Sequence, residues 1–424
     1  MNVTIYTLRS VAYAITEPSL VIVLIILGVL FYRQNRKTAI MQKMIIGESI
    51  NSPLELTISQ IVIGLFAGTL ASLLLSYIGV MFPENSGIEF LFIVSILLML
   101  FKPRFFCFSY SASILGFIYL VLRLITDRVG TENAFTIDLV FLFSMVGVLH
   151  FIEGLLVIID GHKGAIPIFT TRDNKIIGGF ALKRYWALPV ALFIIYAQTP
   201  GSTLGTISVS TPEWWPLFKS SNTIDILKTA VLSMIPFYGV LGYSGVTFTN
   251  DKGTKAFQSG LGILFYGILL TFIAQLAGLG ILGEITAIVF CAGGHELMLY
   301  LQRRLEIKRA PKYVSDEEGL MILEVAPESP AFKAGLKSGD KIIEVNGNYV
   351  SNEATIYSEL KESLNKVAIR IKDYKGELKD INLSRKGVER LGLVLVPRVV
   401  PAENKIIKMN GDSFKDMLDK LKKK

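Results

Sequence analysis

Apolar residues recur in long runs along the first three quarters of the chain, and polar residues collect between them. The runs lie near residues 17–33, 58–82, 88–101, 105–124, 136–159, 185–199, 225–247, 258–280 and 283–300. About 20 apolar residues in a helix cross the hydrocarbon core of a bilayer. The pattern therefore predicts a polytopic α-helical membrane protein. We expect eight or nine spans, because the third run is short and the last carries polar residues.

The pattern changes in the last quarter, where short apolar stretches alternate with turn residues. The text GLMILEVAPESPAFKAGLKSGDKIIEVNG, Gly319 to Gly347, contains a strand at Leu320 to Val325 and a second at Lys341 to Val345. Strands of this length bounded by Gly, Asp and Asn predict a small sheet domain. We divide the chain into a multi-span domain (1–301), a basic linker (302–314), a small α/β domain (315–398) and a basic tail (399–424).

Composition and charge agree with a membrane protein. Of 424 residues, 51% are hydrophobic and 18% are charged, and the mean hydropathy is +0.51. The loops on one side of the predicted spans carry 18 Lys and Arg residues, against five on the other side. Because cytoplasmic loops carry the excess of bases, the C-terminal domain is expected in the cytoplasm of a multi-pass protein. Topology thus explains the net charge of +8 without nucleic acid.

The order of the C-terminal motifs resembles the PDZ family in its bacterial, circularly permuted form. The resemblance implies that the domain binds extended peptides, which add a strand to a sheet edge and contact a facing helix. The resemblance places the family's carboxylate loop at 385–390 and the opening of its groove strand at the next four residues, with leucine at the first of them where glycine is usual: Leu391, Gly392, Leu393 and Val394. The facing helix is expected at 352–364. In it, the resemblance implies groove roles for the following residues: Thr355, Ile356, Glu359 and Leu360.

PDZ domains on multi-span proteins also occur in site-two intramembrane metalloproteases, whose apolar part carries a zinc motif. His295 and Glu296 begin like H-E-x-x-H, which needs histidines four residues apart on one helix face. Leu299 stands where the second histidine would be. We therefore expect no metal, cofactor or catalytic site. A protease of this type, its non-catalytic relative, or a PDZ-bearing sensor or transporter accessory remain alternatives.

The remaining polar residues of the apolar runs are interpreted as structural. His150 and Glu153 are three residues apart on one face of the fifth run. A hydrogen-bonded pair is the favoured interpretation, and a proton or metal site is the alternative. Both cysteines, Cys107 and Cys291, lie in or beside apolar segments, where we expect core packing. No P-loop or dinucleotide fingerprint is present, so nucleotide binding is not expected.

A multi-span body followed by one C-terminal PDZ domain resembles the MinJ-like cell-division topological determinants of Gram-positive bacteria. The resemblance also rests on the first span being followed by RQNRK, Arg33 to Lys37. It implies a membrane-anchored scaffold without enzymatic activity. Such a protein would bridge the polar scaffold DivIVA to MinD at cell poles and septa, with polypeptides and the lipid bilayer as partners.

Overall fold

Helices form most of the chain up to residue 308. The computed structural model describes residues 2–131, 137–197, 209–218, 230–362, 366–384 and 390–398. The helices before residue 309 are α1 (Val3–Thr16), α2 (Pro18–Ile46), α3 (Pro53–Ile78), α4 (Glu89–Phe101), α5 (Phe108–Val129), α6 (Leu139–Asp160), α7 (Lys252–Ile273) and α8 (Ile281–Lys308). Two 3-10 turns, Pro103–Phe106 and Ala274–Leu279, precede α5 and follow α7.

Within the described ranges, six helices are long and apolar enough to cross a membrane. They are α2, α3, α5, α6, α7 with its 3-10 extension, and α8. The 13 residues of α4 rise about 20 Å at 1.5 Å per residue, which is less than the thickness of the hydrocarbon core. Local signals set the helix ends: Ser52 and Glu55 form a capping box at the start of α3, and Gly79, in the left-handed conformation, ends it.

Two of the predicted helical spans, 185–199 and 225–247, are wrong, because their described parts, 185–197 and 230–247, form strands instead. They belong to β3 (Lys175–Ala197) and β4 (Ala230–Thr247), which pair antiparallel from Phe180↔Thr247 to Ala197↔Ala230. A fully buried strand carries the same unbroken apolar run as a buried helix, so periodicity does not separate them. The pairing satisfies the backbone groups that the two strands direct at each other, as an apolar environment requires.

Glycines let α3 lie directly on this hairpin. A Cβ on Gly64 would stand 2.2 Å from the carbonyl oxygen of Ala187, and one on Gly68 would stand 2.5 Å from that of Pro189. The same sheet contains three shorter strands, namely β1 (Met81–Pro83), β2 (Ile166–Arg172) and β5 (Tyr313–Val314). The helical body is therefore packed around a mixed sheet, which apolar run lengths did not indicate.

The C-terminal domain has the strands that the sequence predicts. Its elements are β6 (Leu320–Val325), α9 (Pro330–Lys333), β7 (Lys341–Val345), β8 (Asn348–Tyr349), α10 (Glu353–Glu362), β9 (Lys366–Lys372), β10 (Leu378–Ser384) and β11 (Leu393–Leu395). The sheet order is β10-β9-β7-β6-β11, with β8 on β7. Asn346 and Gly347, both at positive φ, make the turn between β7 and β8. The bounds of β6 and β7 are those read from the sequence.

This domain is packed against the body. Of the predicted linker, residues 302–308 continue α8, and Tyr313 and Val314 pair with β3. Alternate side chains of β11 face opposite ways: Val394 belongs to the core shared with the body, and Leu395 to the domain's own core. An ion pair joins Lys252 Nζ to Glu324 Oε2 at 2.5 Å. The basic loops and the domain therefore meet at one end of the helices.

Candidate peptide-binding groove and a buried thiol–imidazole cluster

The edge of the C-terminal sheet is formed by β11, which pairs with β6 and with no other strand in the described part of the chain. Ala326 N donates to Gly392 O at 2.7 Å, and Val396 N donates to Met321 O at 2.9 Å. Alternate residues of a strand direct their backbone groups to the same side. The N–H and C=O of Leu393 therefore face away from β6, where an added strand would pair.

The predicted groove-strand residues have different surroundings. Leu391 is buried in the core of the domain and Leu393 packs partly against it, whereas Val394 packs toward the membrane body. Gly392 has a φ of +70°, and a Cβ there would stand 2.4 Å from Ser329 Cβ. Glycine is required at this position on both counts. The predicted carboxylate loop, residues 385–390, lies outside the described residues except for Arg390.

The helix residues that were predicted to line the groove have different surroundings in the structure. Ile356 is 2% exposed and belongs to the domain core. Thr355 lies in the first turn of α10, where its N–H donates at 3.0 Å to Oδ1 of the capping residue Asn352. Glu359 Oε1 accepts from Asn348 Nδ2 at 2.7 Å, so its carboxylate is held by the β7–β8 turn. Leu360 lies in the same helix, but its side chain is outside the described part of the structure.

The segment that follows β11 is fixed to the start of α10. Arg398 Nη1 donates to Ser351 O at 3.0 Å, and Arg398 Nη2 donates to Tyr349 Oη at 3.1 Å. The guanidinium also lies over the Tyr349 ring, 5.6 Å from its centroid. These contacts join the end of the edge-strand segment to the region where α10 begins.

A second constellation lies inside the helical body. Cys107 immediately precedes α5, His150 lies on α6 and His295 on α8. Cys107 Sγ is 3.0 Å from His150 Nε2 and 3.6 Å from His295 Nε2. The three potential ligand atoms lie within 4.8 Å of one another. Sequence spacing did not indicate this cluster, because its members come from three separate helices.

Glu153 and Asp160, both on α6, have distinct surroundings. Glu153 Oε2 is 3.9 Å from His150 Nε2, which is beyond hydrogen-bond distance, so the expected hydrogen-bonded pair is not formed. His150 Nε2 instead contacts Cys107 and Ser109. Asp160 is fully buried, where Arg184 Nε donates to its Oδ2 at 2.9 Å and Trp186 Nε1 donates to the same oxygen at 2.9 Å. Asp160 is therefore engaged in a structural ion pair with β3.

Comparison with known proteins agrees with the C-terminal architecture. A family model described as PDZ domain matches residues 321–370. The "Cell division topological determinant MinJ" of Bacillus subtilis (strain 168) is 27% identical over 259 residues. That alignment covers 59% of this chain and 60% of the relative. The match thus spans less than two thirds of the relative's length.

Proposed function

We propose that this chain, a MinJ-like membrane protein with a C-terminal PDZ domain, is an adaptor that positions division proteins at the inner face of the bacterial membrane. The observation that carries the proposal is the edge of β11 opposite β6, which no strand of the described residues covers and which lies close to the basic end of a multi-span body. The partners proposed from the family resemblance are a DivIVA-type polar scaffold and MinD, at septa and poles.

The proposed orientation follows from charge. Glu324 of the domain contacts Lys252, and Lys312 of the linker donates its N–H to Phe248 O. The base distribution assigns the loop that contains Lys252 to the cytoplasmic side. Lys312, next to the first strand of the domain, belongs to the same basic group. We therefore place the groove in the cytoplasm, where division proteins are present.

The proposed mechanism needs binding without turnover. A partner segment would pair with the N–H and C=O of Leu393, which face away from β6, since strand addition supplies affinity through main-chain hydrogen bonds. Attachment to the membrane raises the effective concentration of the partner near the bilayer. We interpret β11 as the family's groove strand displaced to the C-terminal end by circular permutation, because it pairs with β6, the first long strand of the domain.

Two substitutions at one position test this mechanism. Leu393→Pro removes the N–H that faces the open edge and leaves the bonds of Gly392 and Val396 to β6 in place. Leu393→Ala shortens the same side chain but keeps the N–H. Full-length variants in the native bacterium would be crosslinked in situ, and the recovery of the DivIVA-type scaffold and MinD quantified against total adaptor.

We expect recovery to persist with Leu393→Ala and to be lost with Leu393→Pro, at equal abundance and equal melting temperature. Equal recovery with both variants would contradict strand addition at β11 and would move the partner contact to the body or the C-terminal tail.

A further inference from the structure

We propose that Cys107, His150 and His295 bind a zinc ion inside the helical body. Among the described residues, this is the group of three or more His, Cys, Asp or Glu side chains close enough to hold a metal. His150 is 2% exposed and His295 8% exposed. The site is independent of the peptide groove, and the proposal stands whether or not the adaptor function is correct.

The distances suit tetrahedral zinc. With Zn–S at about 2.3 Å and Zn–N at about 2.0–2.1 Å, ligand atoms lie about 3.3–3.6 Å apart. Cys107 Sγ is 3.0 Å from His150 Nε2 and 3.6 Å from His295 Nε2. The second distance is within this range, and a movement of Cys107 Sγ away from His150 by about 0.3–0.6 Å would bring the first into it.

Contacts at Nδ1 fix the orientation of both imidazoles and leave Nε2 as the ring nitrogen with the available lone pair. His150 Nδ1 is 2.8 Å from the carbonyl oxygen of Val146, which can only accept, so Nδ1 carries the proton. His295 Nδ1 is 3.1 Å from Tyr110 Oη. That hydroxyl donates to Glu296 Oε1 at 2.6 Å, so its oxygen accepts the proton of His295 Nδ1. Zinc-binding histidines are oriented by such contacts on the other ring nitrogen.

Without a metal, the cluster has one proton too few to satisfy every hydrogen-bond acceptor in it. Ser109 Oγ also lies 3.2 Å from His150 Nε2, but it is 2.9 Å from Tyr266 Oη. The Tyr266 hydroxyl donates its proton to Cys291 O at 2.5 Å. The hydrogen bond between Ser109 and Tyr266 therefore uses the proton of the Ser109 hydroxyl, which is then not donated to His150. The single thiol proton of Cys107 then faces two imidazole lone pairs. A buried acceptor without a donor is costly, and a cation would satisfy all three ligand atoms.

The ligand set selects the ion. A thiolate with two imidazoles favours a borderline-soft transition metal over Mg²⁺ or Ca²⁺. Glu153 Oε2 lies 3.9 Å from His150 Nε2 and is 14% exposed at its side chain. A divalent ion, one thiolate and one carboxylate sum to zero charge, which reduces the cost of placing them in an apolar interior. Three protein ligands leave the fourth coordination position for water beside Glu153.

The test uses the full-length protein in mild detergent, dialysed without chelator, and elemental analysis by mass spectrometry. We expect about one zinc per chain. Cys107→Ser and His295→Ala should reduce zinc to the background of a metal-free membrane protein. Cys291→Ser and His162→Ala are matched controls, because they remove the chain's other cysteine and other histidine, and they should retain the ion.

Cobalt substitution gives a spectroscopic readout of the thiolate ligand. The wild-type protein refilled with Co²⁺ should show near-ultraviolet thiolate-to-cobalt charge transfer, and Cys107→Ser should lack it. Wild-type protein without zinc above background, zinc content unchanged in Cys107→Ser and His295→Ala, or copper in place of zinc would each overturn the proposal.

Discussion

Gly178 in β3 of the helical body lies against Val396 at the end of the edge-strand segment: a Cβ on this glycine would stand 2.8 Å from Val396 Cγ2. It would also stand 3.0 Å from Cδ1 of Leu323 in β6. Both neighbours are side-chain ends, so one methyl group needs a small shift, whereas a larger side chain needs the domain to move. The missing side chain at Gly178 therefore allows close contact between the PDZ domain and the body.

Gly178→Leu should displace the PDZ domain from the body. The added side chain occupies the space of Val396 and Leu323, and overpacking of this kind costs about 1–3 kcal/mol. We expect faster tryptic cleavage at residues 309–312. Gly293→Leu serves as control, because a Cβ on Gly293 meets nothing within 4 Å. Unchanged cleavage in Gly178→Leu would show that the contact does not hold the domain in place.

The ion pair between Lys252 and Glu324 should contribute to the same docking. The side chain of Glu324 is 8% exposed and that of Lys252 is 31% exposed. Lys252→Glu should therefore weaken the packing of the domain on the body by about 1–3 kcal/mol, which lies between the values for surface and buried ion pairs. The swap Lys252→Glu with Glu324→Lys should recover part of this loss. A double-mutant cycle on the tryptic cleavage rate measures the coupling, and additive effects would exclude a direct interaction.

The buried pair of Asp160 and Arg184 should be the costliest ion pair to break. Both side chains are 0% exposed, and removal of one partner of such a pair costs about 3–5 kcal/mol. Asp160→Asn should lower the melting temperature accordingly. Asp173→Asn is the control, because Asp173 is 91% exposed at its side chain in its pair with Arg172. Equal melting temperatures for the two variants would contradict the assignment.

Chelation should destabilise the body if zinc joins α5, α6 and α8. Removing a ligand present at a hundredfold excess over its Kd lowers stability by about 2.7 kcal/mol. We expect phenanthroline to lower the melting temperature of the wild type and of Cys291→Ser. Cys107→Ser should not respond further. A wild-type melting temperature that is insensitive to the chelator would contradict a structural contribution of the ion.

Asp251 should make the protein sensitive to acid. Burial raises the pKa of this carboxyl, but hydrogen bonds from Thr254 and Lys312 outweigh burial and lower the pKa from 3.8 to about 2. Folding thus favours the charged form, and its contribution is lost as the pH falls from about 4 to about 2. Unfolding measured across this window should show a smaller pH dependence in Asp251→Asn. Parallel wild-type and variant curves would contradict the assignment.

The sequence predicted the PDZ domain in detail, because its signals are local. Strand bounds at Leu320–Val325 and Lys341–Val345 follow from apolar runs between turn residues, and Asn346-Gly347 supplies the positive φ values of a tight turn. The directions in which the proposed groove side chains point could not be predicted from the sequence. Glu359 faces the β7–β8 turn, and Val394 faces the body, because contacts with Asn348 and with the helical body decide these orientations.

By itself, the sequence determined that the chain is a membrane protein, since run length and charge distribution are sufficient for that conclusion. Tertiary structure decided which apolar runs become helices: β3 and β4 are stabilised by pairing with each other and by packing against the glycines of α3. Tertiary structure also brought Cys107, His150 and His295 together. Residues so far apart in sequence meet only when three helices pack, and no local spacing encodes that contact.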